Sequence, residues 1–293
     1  LALLSLLLVG EEGNFPPLPN RERGGRGVRS ALVNGVPGGV LSPWDRGFLY
    51  GDGVFETLRT YGGRPFALEP HLALLAEGAQ ELGIDAREPL ARLREEAEEA
   101  LTRVGPGEWL LRLLLSRGEP GGEPTRVVLV EPLVPVAEEV YRRGVSVELY
   151  PHPGGTLGRK TLAYLPHLLA RERARSRGAE EVILLDEEGR LGQGSTCNVL
   201  LARGGRLIAP VPGGGRAGVT RRVVLEAASA LGFEVEVRGI EPGELGDGAE
   251  LMLCSTIREV VPVVEAAGRT VGAGRPGEAA RTLRDAVRRA AGE

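Results

Sequence analysis

The stretch Pro151-His152-Pro153-Gly154-Gly155-Thr156-Leu157-Gly158-Arg159-Lys160-Thr161-Leu162-Ala163-Tyr164-Leu165 divides the chain. Residues 151–158 are rich in turn formers and carry no apolar periodicity, so the loop between two units falls there. The tail of the stretch runs directly into an amphipathic helix. Between loop and helix stands Lys160, the sole lysine in a chain of 293 residues whose Lys and Arg together number 36. A composition that takes arginine wherever a cation serves, yet keeps one lysine, points to a need for the amine itself. Lysine can lose its proton and attack a carbonyl; arginine cannot.

Toward the N-terminus, residues 145–150, 126–130, 109–115 and 54–61 have strand composition. Leu72, Leu75, Ala79 and Leu82 recur at helical spacing, as do Leu90, Leu93, Ala97 and Leu101, which predicts two consecutive helices. With turn signals at Asn34-Gly35 and Gly38-Gly39, residues 31–150 read as a smaller unit of sheet with two inserted helices. Ahead of it, the apolar run from Leu1 to Val9 is too short to span a membrane. Residues 11–30, rich in Gly, Pro and Arg, read as linker or disordered tail, so residues 1–30 are expected to be an extension outside the domain.

Toward the C-terminus, Leu165, Leu168, Leu169 and Glu172 continue a helix with a charged outer face. Strands are predicted at 181–185, 199–202, 206–208, 233–238, 250–253 and 260–264, with helices at 220–231 and 278–290. Residues 159–293 thus form the second, larger unit. No internal repeat is present.

A hydrophobic content of 42% is enough for a full core, and the net charge is -4. The arginines are interspersed with acids and form no basic stripe, so no nucleic-acid partner is expected. No membrane association is expected either. Cys197 and Cys254 are isolated, which argues against a zinc site and a disulfide scaffold and suggests a reducing, cytoplasmic setting. His71, His152 and His167 lack second ligands at metal spacing, so no metal is assigned. His71 is expected to cap or pack its helix, and His152, in the bend, to reach the site. Trp44 and Trp109 are expected in the core, and Asp52 and Glu56 in salt bridges near Arg59.

Two segments offer cups for an anion. Gly213-Gly214-Gly215-Arg216-Ala217-Gly218 precedes Val219-Thr220-Arg221 and a predicted helix, so unpaired N–H groups and the Thr220 hydroxyl would face a phosphate placed there. Cys254-Ser255-Thr256, at the end of a predicted strand, adds two hydroxyls. Ordinary turn and capping chemistry accounts for either segment taken singly. The glycine cluster also matches G-x-G-x-x-G at Gly213, Gly215 and Gly218, followed by Glu236, which is the spacing of a dinucleotide fingerprint. Pro210 and Pro212 stand between strand and loop and count against it. A nicotinamide oxidoreductase therefore stands as a second reading.

The run Leu41-Ser42-Pro43-Trp44-Asp45-Arg46-Gly47-Phe48-Leu49-Tyr50-Gly51-Asp52-Gly53-Val54-Phe55-Glu56-Thr57-Leu58-Arg59 resembles the N-terminal signature of the fold-type IV pyridoxal-phosphate enzymes. This is the class IV aminotransferase family, which holds branched-chain aminotransferases, D-amino acid aminotransferases and 4-amino-4-deoxychorismate lyases. The resemblance continues through the Lys160 segment and residues 192–198, 218–221 and 255–262. It implies an α+β fold with a smaller N-terminal α/β domain and a larger C-terminal domain around a barrel-like β core. It also implies pyridoxal 5′-phosphate as cofactor and a homodimer with its site at the domain and subunit interface. By the same resemblance Lys160 is the Schiff-base lysine, both anchor and base. Arg59, Val219, Thr220 and Thr256 surround the cofactor phosphate, and Tyr164 meets the ring's 3-hydroxyl.

Two positions depart from the family pattern. Gln193 stands where the family usually has a glutamate facing the pyridine nitrogen, and an amide cannot supply the charge that keeps the ring a strong electron sink. Ala163 stands where many members have Asn. The first departure favours β-elimination over transamination. Arg112 and Arg117, in a segment similar to one in aminodeoxychorismate lyases, are the candidates for binding a dianionic substrate, although either could be a surface cation. The expected activity is therefore that of a 4-amino-4-deoxychorismate lyase, giving 4-aminobenzoate and pyruvate for folate synthesis. A branched-chain or D-amino acid aminotransferase and a catalytically weakened paralogue are the alternatives.

Overall fold

The computed structural model describes residues 29–152, 160–211 and 217–292. The expected N-terminal extension lies outside them, apart from Arg29 and Ser30. Ser30 already begins strand β1 (Ser30–Val33), which turns at Asn34-Gly35 into β2 (Val36–Pro37). Both turn residues have positive φ, 50° and 79°, as a two-residue Asn-Gly hairpin requires. The one-turn helix α1 (Arg46–Tyr50) follows, capped by Asp45, whose Oδ1 accepts from the Gly47 and Phe48 amides. Then come β3 (Gly53–Tyr61), β4 (Arg64–Pro65), α2 (Leu68–Glu81), α3 (Arg87–Val104), β5 (Trp109–Ser116) and β6 (Thr125–Pro132).

These six strands form one antiparallel sheet in the order β2-β1-β6-β5-β3-β4. The two helices cover one face of it. Leu72, Leu75 and Ala79 of α2 and Leu93, Ala97 and Ala100 of α3 pack on Val54, Leu58, Leu111, Leu113, Val128 and Val130. Period-two alternation decides what the other face shows: Leu111, Leu113 and Leu115 are buried, while Arg112 between them is exposed.

A short helix α4 (Glu138–Arg143) leads into β7 (Val145–Pro151). The sequence suggests β7 as the last strand of the first unit; it belongs instead to the second sheet, parallel to its neighbours there. Val145 and Val147, on alternate positions, find their apolar cover in the second core. The remaining elements are α5 (Leu165–Ser176), β8 (Glu181–Leu185), β9 (Leu191–Gly194), β10 (Asn198–Arg203), β11 (Arg206–Ala209), α6 (Val219–Ala230), β12 (Glu234–Val237), β13 (Glu250–Ser255), β14 (Glu259–Ala266), β15 (Arg269–Thr270) and α7 (Glu278–Ala290). The main path of this sheet is β12-β11-β10-β13-β14-β7-β8-β9, and β9 pairs back onto β10 at Gln193 and Asn198. Strands β10, β13, β14, β7, β8 and β9 therefore close a six-stranded barrel, the expected β core.

Alternation again sorts the side chains. Val199, Leu201, Leu251 and Leu253 fill the barrel with Ile183, Val261 and Val263. Their neighbours Leu200, Ala202, Met252 and Cys254 face outward onto α6 and α7. Strand β9 escapes a reading by composition because it holds two glycines, both required by close approach. A Cβ on Gly192 would lie 2.7 Å from the Leu184 carbonyl oxygen, and one on Gly194 would run into the Cys197 sulfur. Trp109 is buried as expected, but Trp44 is 68% exposed, on the loop before α1 rather than in the core. Among the described residues no helix is long and apolar enough to cross a membrane.

Leu201, fully buried inside the barrel, tests this packing. Leu201→Ala should cost about 2–5 kcal/mol, seen as a lower urea midpoint with an unchanged m-value.

Candidate functional site

Lys160 lies where the chain of the second sheet runs against β3 of the first. Its carbonyl accepts from Phe55 N at 2.9 Å, Leu162 N donates to Gly53 O at 2.9 Å, and Thr161 bridges to Val54. Residues 160–162 thus run alongside β3. The Lys160 Nζ donates to Glu56 Oε2 at 2.6 Å, and His71 Nδ1 lies 2.8 Å from the same oxygen. Burial would push the Glu56 carboxyl up, but the Lys160 charge and the His71 hydrogen bond outweigh it and hold the group below the usual carboxylate value. The expected grouping of Asp52 and Glu56 near Arg59 is therefore corrected. In a strand, residues three apart point to opposite faces, so Glu56 faces α2 while Arg59 does not. Asp52 pairs instead with Arg46 and Arg117, each at 2.8 Å.

Thr220 and Thr256, one from each of the two segments expected to hold an anion, come together. Val219 and Thr220 open α6 and are buried, and Thr220 Oγ1 lies 2.9 Å from Thr256 Oγ1, just past the end of β13. The cluster Gly213-Gly214-Gly215-Arg216 lies outside the described residues. Gly218 is held against β10, since a Cβ there would come within 2.7 Å of Asn198 Oδ1. Arg59 is buried, with its guanidinium 4.0 Å over the Tyr61 ring and Nη1 3.3 Å from Glu259 Oε1. Glu259 opens β14, directly after the β13–β14 turn that carries Thr256. Glu259, which residue type alone does not single out, is buried at a φ of 54° and also accepts from Tyr61, Arg284 and Arg288. Its sequence signal is a carboxylate directly before the apolar run 260–264.

Tyr164 donates its hydroxyl to the Ser195 carbonyl, stacks on His167 at 4.8 Å and meets Phe55 edge-on at 5.2 Å. Burial, then the neighbouring Cys197 and Glu181, push its phenol well above the ordinary value, while Arg171 and Arg112 pull the other way. Arg112 therefore stands within electrostatic reach of Tyr164. Arg117 does not join it, because its guanidinium is bound to Asp52 and to the Leu82 and Gly83 carbonyls. Gln193 lies on β9 where the barrel closes, opposite Asn198. Ala163 is exposed beside the end of α1, and its backbone keeps position 51 a glycine, since a Cβ there would lie 2.7 Å from the Ala163 nitrogen.

A second buried carboxylate that the sequence alone does not mark is Glu181. Glu181 is fully buried and accepts from Ser195 Oγ at 2.5 Å, Thr196 Oγ1 at 3.3 Å and Arg258 Nη2 at 2.7 Å. It ties the Ser195 turn, beside Tyr164, to the turn that carries Thr256. Like Glu259, it directly precedes an apolar run.

The model of the amino-transferase class IV family matches residues 53–266. The chain belongs to the class IV aminotransferase family. It is 32% identical over 256 residues to a putative branched-chain-amino-acid aminotransferase of Methanocaldococcus jannaschii, covering 84% of this chain and 89% of that one. It is 29% identical to a D-alanine aminotransferase of Bacillus licheniformis, covering 83% and 89%. Its fold superposes on the crystal structure of 4-amino-4-deoxychorismate lyase from Pseudomonas aeruginosa with a TM-score of 0.77 at 33% identity, covering 88% and 98%. The chain is thus a fold-type IV enzyme, and its cofactor is pyridoxal 5′-phosphate. Family membership displaces the dinucleotide interpretation of the glycine cluster. Glu236, the acid in that interpretation, is ion-paired with Arg206 at 3.3 Å and Arg238 at 3.0 Å.

His152 offers a check on the electrostatics near Tyr164. Burial and then the charge of His167 lower its pKa from 6.5 to about 4. The folded chain thus keeps His152 neutral while the unfolded chain protonates, so its contribution is full above pH 6.5 and is lost as pH falls toward about 4. NMR titration should find the His152 ring changing state near pH 4, and His152→Gln should flatten the acid-side loss of stability over that window.

Proposed function

We propose that the enzyme is a 4-amino-4-deoxychorismate lyase that releases 4-aminobenzoate and pyruvate. The residues present fit the cofactor. Lys160 offers an amine; the amino end of α6, the Thr220 and Thr256 hydroxyls and Arg59 suit a phosphate dianion; the Tyr164 phenol suits the ring oxygen. In this reading Val219 lends its amide to the phosphate, Gln193 faces the ring nitrogen and Arg112 receives a substrate carboxylate. When bound, the cofactor supplies a carbonyl carbon for amine exchange and a ring that accepts an electron pair.

The chain's own groups do the rest. Lys160 Nζ takes the proton from the substrate carbon that bears the amino group. The carbon–oxygen bond at the neighbouring carbon then breaks, and its electron pair leaves with the enolpyruvate oxygen, which becomes pyruvate on gaining a proton. Gln193 carries the choice of lyase over transaminase. An amide leaves the ring a weaker electron sink, and prompt loss of a β leaving group demands less of that sink than a proton shuttle between two carbons. The similarity to branched-chain and D-alanine aminotransferases supports a second reading, transamination of one of those amino acids.

We propose further that the enzyme works as a homodimer in the cytoplasm. Trp44, Phe48, Tyr50, Leu165 and Leu169 are between 52% and 68% exposed. They share one region, because α1 packs against residues 162 and 163. An apolar surface of this kind, next to Lys160, suits burial against a second copy.

Purified protein should absorb in the visible range, and borohydride reduction should fix the cofactor to the peptide carrying Lys160. Lys160→Ala should abolish both the label and turnover. Aminodeoxychorismate should be consumed, and D-alanine or L-leucine should not bleach the band. Gln193→Glu should shift the absorption and lower the ratio of elimination to transamination by roughly tenfold, the effect of about 1.4 kcal/mol in relative barrier. An unchanged ratio would remove Gln193 as the determinant.

A further inference from the structure

Lys160 has to shed a proton before its nitrogen can bond to a carbonyl carbon, and the group placed to take it is Glu56. The Glu56 side chain is 5% exposed and sits on β3 between Val54 and Leu58, which belong to the apolar cluster under α2 and α3. Its ion pairs among the described residues are with Lys160 and His71, both through Oε2. Arg59 leaves the opposite face of the strand, and Arg46 and Arg117 are taken by Asp52.

If Lys160 left as a charged ammonium, a buried carboxylate would lose its cation, which is strongly unfavourable. His71 is poorly placed to replace it. The imidazole is 1% exposed, and its Nε2 is buried without a hydrogen-bond partner. A charged ring would therefore bury an unpaired N–H. Neutral His71, donating from Nδ1, can only orient the carboxylate.

We propose that Glu56 is the proton acceptor for Lys160 and returns the proton when the lysine is released, with His71 as the residue that positions it. One Nζ–H bond breaks and one O–H bond forms on the Glu56 carboxylate, leaving the lone pair on Nζ. An ion pair becomes two neutral groups, and no other reactant is needed. Both states satisfy the apolar surroundings: in one the charges are paired, in the other they are absent. This inference rests on Lys160 as the cofactor-bonding amine.

Infrared difference spectra between cofactor-free protein and protein loaded with pyridoxal 5′-phosphate test it. Loading should produce the carbonyl stretch of a protonated carboxyl, and Glu56→Gln should lose that band entirely. Glu56→Asp, which keeps an acid at altered reach, should move the band and serves if the glutamine variant does not fold. His71→Phe should raise the band's frequency, since the carboxyl loses a donor; an unmoved band would remove the positioning role. Borohydride labelling is run on the same samples. Label on Lys160 without a new band, or a band that persists in Glu56→Gln, overturns the proton transfer alone. No label on Lys160 overturns this inference together with the function it rests on.

Discussion

The architecture depends on a short backbone seam. Two hydrogen bonds, Phe55 N to the Lys160 carbonyl and Leu162 N to the Gly53 carbonyl, fasten residues 160–162 to β3 of the first sheet. A backbone seam holds the main chain of the lysine independently of its side chain, so the amine is free to change partners while its Cα stays fixed. The seam is possible because β3 opens with glycine. A Cβ on Gly53 would lie 2.6 Å from the Leu115 carbonyl oxygen and 2.7 Å from Leu162 Cδ1, so any other residue would part either β5 or the lysine segment from β3. Sheet pairing and lysine placement are therefore one constraint.

Buried carboxylates do similar work around that seam. Glu56 joins Lys160 to α2, Glu181 joins the Ser195 turn to the Thr256 turn, and Glu259 draws Arg59 together with Arg284 and Arg288 of α7. Burying such ions costs more than packing apolar groups of the same size, so their net contribution to stability is small. What they contribute is direction. An apolar contact tolerates sliding, whereas a carboxylate with two or more fixed donors specifies which segments meet and at what angle. Glu259 accepts a positive φ of 54°, unfavourable for a residue with a Cβ, in order to aim at its donors.

Much of this was legible in the sequence, for identifiable reasons. Strands β3, β5, β8, β10 and β13 carry strong apolar runs or alternation, and α7 has a clear amphipathic period, so their places follow from local pattern. Lys160 stood out by its rarity, and Thr220 and Thr256 by hydroxyls at a predicted helix start and strand end. What stayed hidden depends on contacts far apart in the chain. The partner of Glu56 lies 104 residues away, and only strand parity, known once β3 is placed, separates it from Arg59. Strand β9 is concealed by glycines whose purpose is to let β8 and the Cys197 turn approach. Membership of β7 in the barrel is a matter of which edge is open, and no single segment records that. Trp44 reads as core by residue type, yet it sits on a surface whose burial would require another molecule.

The arrangement also separates chemistry from selectivity. On β3, residues 54, 56 and 58 face the helices and hold the carboxylate that meets Lys160, while Phe55 and Thr57 belong to the other face. Phe55 there meets Tyr164, and Thr57 pairs in register with Arg112 of β5. Under the proposed activity, side chains on this second face can change without disturbing the lysine and its proton acceptor, because the intervening backbone is fixed by sheet hydrogen bonds. One scaffold can then serve substrates as different as a ring dianion and an aliphatic amino acid. Gln193 falls outside this division. It lies on the barrel rather than on the sheet, so under the same proposal it acts on the cofactor's electron demand and not on substrate shape. On the proposed function, selectivity for a substrate and selectivity for a reaction are set on different elements, and either can drift while the other is retained.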